Sequence, residues 1–160
     1  MRDNHRVLFV CHGNIFRSAF SHYRLEKLVR ERGFDNIEIR SAGTIAKPRD
    51  GSESTVVRVA SEYGLEMAHH GSVRLSVDLL EWATQIFVME ESMVGDVESL
   101  DVASVEKTRL LGSVAHPDVG EIEDIGPTKD VEGAVRDRFL RLDRLVALLA
   151  DEFAEDHPAT

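Results

Sequence analysis

Cys11 and Arg17 are separated by five residues in the run Cys11-His12-Gly13-Asn14-Ile15-Phe16-Arg17-Ser18. Gly13 lets backbone approach a ligand closely, and Asn14 tolerates left-handed backbone angles. A loop so composed can turn successive N–H groups inward as an anion nest. The planar fork of Arg17 suits two oxygens of one phosphoryl group, with Cys11 placed to attack the phosphorus. Ser18 is within reach of the sulfur, where a hydroxyl would help the thiolate depart when a phosphocysteine is hydrolysed. The chemistry expected of these residues is phosphoryl transfer through Cys11, with the backbone and side chains of residues His12 to Ser18 holding the phosphate.

Taken alone, a cysteine is usually a small buried hydrophobe and an arginine a solvated helix residue. The flanking elements reverse that reading. Residues 6–10 (R-V-L-F-V) form an apolar, β-branched run that predicts a buried strand, and from about residue 16 to 32 apolar positions recur at helical spacing until Gly33 stops them. The loop thus joins a strand to a helix N-terminus, whose partial positive charge favours an anion. Further strands are expected over residues 37–40, 85–89 and 108–111. Helices are expected over about 53–63, from a cap at Ser76 through Trp82, over 91–100, and over 131–153. Residues 44–52 and 115–129 read as loops, the second carrying Pro117 and Pro127.

Strands alternating with helices predict an α/β fold of three layers: a twisted, parallel sheet of about four strands with helices on both faces. Ligands in such sheets bind beyond the carboxyl ends of the strands, where Cys11 stands. With 160 residues and neither a linker nor a repeat, one domain spanning 1–160 is expected. The net charge of −10 argues against nucleic acid or an anionic membrane as a partner, yet leaves room for a local phosphate site. No apolar run is long enough for a membrane span, no signal-peptide pattern precedes residue 6, and the single cysteine has no intramolecular partner, which together predict a reducing cytoplasm. The sequence has no Gly-Lys-Ser/Thr loop, no Gly-x-Gly-x-x-Gly, no Cys-x-x-Cys and no His-Glu-x-x-His, so neither a cofactor nor a metal is expected.

From Val7 through Ser18 the sequence closely resembles the low molecular weight protein tyrosine phosphatases. The likeness extends to Ser41-Ala42-Gly43-Thr44, to His70-Gly71-Ser72 with Leu75, and to Ile86-Phe87-Val88-Met89-Glu90. The resemblance implies a phosphatase acting through a phosphocysteine on a phosphorylated protein, with phosphotyrosine first among substrates, or on a small phosphate ester. It also implies a supporting network of Asn14, Ser18, Ser41 and His70, and a general acid shortly before the last helix. Asp118, Asp124 and Asp130 are the acids that loop offers, and the segment Ile122-Glu123-Asp124-Ile125-Gly126 matches best.

Three departures matter. Phe16 stands where many members have a second cysteine, Ala19 where proline is usual, and Ile125-Gly126 replaces a Pro-aromatic pair. The last removes an aromatic wall suited to a phosphotyrosine ring. His12 and Phe16 are expected to line the mouth instead, with Lys47 and Arg49 at its rim. Two other functions fit the same loop: an arsenate reductase drawing on an external thiol, and a catalytically weak phosphate-dependent binding module.

Overall fold

The computed structural model describes residues 3–48, 53–115 and 120–156; Arg49, Pro117 and Asp118 lie outside the described residues. Four strands form one sheet: β1 (His5–Cys11), β2 (Ile37–Gly43), β3 (Gln85–Val88) and β4 (Thr108–Leu110), in the spatial order β2-β1-β3-β4 and parallel throughout. Among the described residues five α-helices accompany them: α1 (Arg17–Glu31), α2 (Ser54–Ser61), α3 (Val77–Trp82), α4 (Ser92–Leu100) and α5 (Val131–Asp156).

The order places the site. β1 is central, and Val7, Leu8, Phe9 and Val10 are wholly buried, as a strand covered on both faces must be. The chain leaves β1 for β2 on one side and later returns past β1 to β3 on the other. Since parallel crossovers are right-handed, two that run in opposite directions lay their helices on opposite faces and open a crevice at the carboxyl end of β1. Cys11 is the last residue of that strand, level with Gly43 of β2.

The helices are fixed by identifiable contacts. α1 packs on β1, β2 and α5, while α2 also packs on α5. Phe20 stacks on Phe139 with centroids 3.9 Å apart, and Tyr63 meets both rings edge-on. Gly33 and Gly64 follow α1 and α2 with φ of +72° and +73°, conformations in which glycine is unstrained. Ser76 caps α3 by accepting from the Leu79 N–H at 3.3 Å.

Two features depart from the sequence reading. β2 runs three residues further than expected, through Ser41, Ala42 and Gly43, because these small residues continue the pairing with β1 up to Cys11. Two 3₁₀ segments, Val102–Lys107 and Leu111–Val114, flank the short β4; such tight turns carry little apolar periodicity. No helix among the described residues is long and apolar enough to cross a membrane.

Candidate active site

The extension of β2 shapes the loop after Cys11. Thr44 N–H donates to Cys11 O at 2.9 Å and Ile45 N–H to His12 O at 3.0 Å, so the turn after β2 grips the loop's first half. A Cβ on Gly43 would lie 2.4 Å from His12 O and 2.8 Å from Asn14 N, so the backbones approach too closely for any side chain there.

Asn14 takes the left-handed conformation, with φ of +54°, and is fully buried. Besides its N–H contact to Cys11 Sγ, three hydrogen bonds hold it. Its Nδ2 donates to Ser18 Oγ at 2.9 Å, its Oδ1 accepts from Val73 N–H at 2.9 Å, and its carbonyl accepts from His70 Nε2 at 2.7 Å. His70 Nε2 must therefore carry a proton, and its Nδ1 is free to accept from the Tyr23 hydroxyl at 3.2 Å. Burial pushes the His70 imidazole below its ordinary pKa, against the pull of the Asn14 carbonyl, and the neutral ring fits this arrangement.

These bonds point polar groups at the sulfur. Cys11 Sγ lies 2.9 Å from Ser18 Oγ and accepts from Asn14 N–H at 3.3 Å. The Ser18 hydroxyl, already an acceptor for Asn14, has Sγ and the Ala42 carbonyl, at 3.4 Å, as targets for its one proton. Phe16 precedes α1 without supplying a capping side chain, which leaves the first N–H groups of the helix available to an anion.

Arg17, the first residue of α1, is only 1% exposed. Its Nη1 donates to Glu90 Oε2 at 2.7 Å and to the Ile122 carbonyl at 2.8 Å, and its Nη2 lies 3.8 Å from Asp124 Oδ2. A buried guanidinium requires such compensation. Glu90 lies two residues beyond β3, beside the end of β1, and also meets His12 Nε2 at 3.3 Å. Ile122, wholly buried, anchors its loop further through its N–H to the Met89 carbonyl at 2.8 Å.

Above the loop opens a cavity of about 440 Å³. Cys11, Gly13, Ile15, Phe16 and Arg17 form its floor, Val56, Val131 and Val135 an apolar flank, and Glu53 and Asp124 contribute carboxylates. Asp124 is 62% exposed at its side chain and accepts from the Ile125 N–H at 2.8 Å. The structure thus brings Cys11, Arg17 and Asp124 to one cavity.

Other expected residues lie elsewhere. Asp130 accepts from Gly133 N–H at 2.9 Å, a helix-capping contact at the start of α5. The Ser41 hydroxyl meets His22 Nδ1 at 2.9 Å instead of joining Asn14, Ser18 and His70; along β2 it is the backbone of Ala42 that lies beside Ser18. His12 and Lys47 are not among the residues lining the cavity. Glu90, Ile122 and Tyr23 were not anticipated as supports. An acid directly after a central strand was a usable signal for Glu90, whereas nothing local marks the other two. Among the described residues, no group of three or more His, Cys, Asp or Glu is placed to hold a metal ion.

Known proteins share this arrangement of elements. The profile of the family described as low molecular weight phosphotyrosine protein phosphatase matches residues 6–150. The sequence is 32% identical over 152 residues to a protein-arginine-phosphatase of Geobacillus stearothermophilus, covering 92% of this chain and 98% of the other. The solved structure of the YwlE arginine phosphatase from that organism aligns with a TM-score of 0.83 at 26% identity, over 98% of this chain and 99% of that one. The tyrosine phosphatase Wzb from Escherichia coli K30, in complex with sulphate, aligns with a TM-score of 0.80 at 25% identity, over 92% and 97% of the two chains.

Proposed function

The chain belongs to the low molecular weight phosphotyrosine protein phosphatase family, and from that premise we propose that it dephosphorylates protein side chains through a phosphocysteine on Cys11. The observation that carries the reading is one cavity in which Cys11 Sγ, held by Ser18 and Asn14, shares the lining with Arg17 and Asp124.

The Cys11 thiolate attacks phosphorus, the phosphorus–leaving-group bond breaks, and Asp124 gives its proton to the departing atom. Asp124, now a carboxylate, takes a proton from water as that water attacks phosphorus and the S–P bond breaks, releasing phosphate. Glu90 and Ile122 engage Arg17 through Nη1, which leaves the Nε–Nη2 edge for two phosphoryl oxygens. Ser18 donates to the sulfur as it departs. A thiol that must stay reduced to act suits the cytoplasm.

Phosphotyrosine is the first substrate reading. Ile15, Phe16, Val56, Ile125, Val131 and Val135 give the cavity an apolar lining that suits an aryl ring. Phosphoarginine is the second, favoured by the near full-length likeness to a protein-arginine-phosphatase and by the Glu53 and Asp124 carboxylates, which suit a guanidinium.

Purified protein should hydrolyse p-nitrophenyl phosphate with or without a chelator, and Cys11→Ser should not. Phosphotyrosyl and phosphoarginyl peptides of one flanking sequence then decide the substrate by their kcat/KM ratio. Turnover surviving in Cys11→Ser would overturn the mechanism. Thiol-dependent arsenate reduction faster than hydrolysis of either peptide would make the chain a reductase.

A further inference from the structure

His12 occupies the position directly after Cys11, yet it is not among the residues that line the cavity. Its Nδ1 lies 3.1 Å from Thr44 Oγ1 and its Nε2 3.3 Å from Glu90 Oε2, while its side chain is 36% exposed. The ring thereby bridges the turn after β2 to the end of β3, across the top of the loop.

Glu90 Oε2 accepts from Arg17 Nη1 at 2.7 Å and lies 3.3 Å from His12 Nε2. Arg17 Nη1 is pinned at two points, the Ile122 carbonyl and Glu90 Oε2, and with Glu90 loose the guanidinium can turn about the one bond that remains. With His12 tied to Thr44, Glu90 is held in the frame of the sheet, and Arg17 takes its orientation from that frame. The alternative partner is close, because Asp124 Oδ2 lies 3.8 Å from Arg17 Nη2. A guanidinium released by Glu90 can settle on Asp124, which misplaces the oxyanion clamp and occupies the candidate acid.

The geometry points to His12 as a positioning residue that aims the Arg17 fork by holding Glu90, an inference resting on the loop's reading as an oxyanion site. The contact needs only a proton on Nε2. A neutral ring provides it while Nδ1 accepts from the Thr44 hydroxyl, and a charged ring provides it as well. A glutamine keeps a donor for Glu90 and an acceptor for Thr44, whereas a leucine keeps neither.

The test compares two anions by calorimetric titration: inorganic phosphate, and vanadate, which becomes trigonal bipyramidal on a thiolate and so demands the correctly aimed fork. His12→Leu should weaken vanadate about 10-fold and phosphate much less, His12→Gln should restore vanadate binding, and His12→Leu added to Glu90→Gln should cost nothing further. Equal weakening of both anions, wild-type vanadate affinity in His12→Leu, failure of glutamine to restore it, or independent losses in the double variant would each overturn the assignment. Because His12 is partly exposed, the variants should fold, and melting temperatures within a few degrees of wild type confirm it. The titrations need no turnover. A chain that hydrolyses neither peptide would refute the proposed reaction and still report the role of His12.

Discussion

Asp124 Oδ2 stands 3.8 Å from Arg17 Nη2, whereas Asp130 gives its carboxylate to the Gly133 N–H at the start of α5. Two acids of one loop are thereby assigned different work. Asp124→Asn should slow hydrolysis of phenyl phosphate by about 10²–10⁴-fold and of p-nitrophenyl phosphate less, since the nitrophenolate departs with little help. Asp130→Ala should instead lower stability by about 1 kcal/mol in urea titrations, with kcat unchanged. A larger leaving-group dependence in the Asp130 variant would reverse the assignment.

Gly43 should tolerate no side chain. In Gly43→Ala the new methyl group would sit 2.4 Å from His12 O, so the turn or the loop must shift. We expect phosphate affinity and turnover to collapse together. Gly71→Ala, whose Cβ would meet no atom within 4 Å, is the matched control and should behave as wild type in both assays.

The sign of the His70 shift fixes a pH dependence. Its folded pKa lies below the ordinary 6.5, so folding favours the neutral ring. The stability it contributes is present above 6.5 and is lost as pH falls from there through the lowered folded value. Melting temperatures of the wild type should therefore drop across that acid range more steeply than those of His70→Gln, and parallel curves would contradict the burial argument.

Peroxide should carry Cys11 to a sulfenic acid with no neighbouring thiol, because position 16 is phenylalanine and Cys11 is the chain's one cysteine. Bound phosphate should slow that step. Peptide mass spectrometry is expected to find overoxidised, sulfenamide or mixed-disulfide forms, and rapid full recovery without added thiol would argue against an unprotected cysteine.

The strands and helices were legible wherever an apolar pattern repeated over enough residues, as in β1, α1 and α5. Cys11, Arg17 and the tight turn at Asn14 could be read because their spacing within a single loop is itself the signal. The partners of Arg17 were hidden for the opposite reason: Glu90 and Ile122 are 73 and 105 residues away in sequence and meet it only once the sheet has ordered. His12 was expected to face the substrate from its place beside the nucleophile, but its orientation depends on Thr44 and Glu90, from two other strand ends. Ser41 illustrates a subtler limit, since it sits in the expected segment and is buried, yet its hydroxyl goes to His22 on α1.

Phe16, in the loop between β1 and α1, stacks on Phe139 of α5 with centroids 5.3 Å apart. Its neighbour Arg17 is held by the carbonyl of Ile122. The loop of Cys11 comes early in the sequence, whereas these two braces, Phe139 and Ile122, come more than a hundred residues later. A ribosome makes the loop well before these two braces, so the nascent chain carries Cys11 long before Phe16 and Arg17 can find them. The loop is fully braced only once α5 has been made.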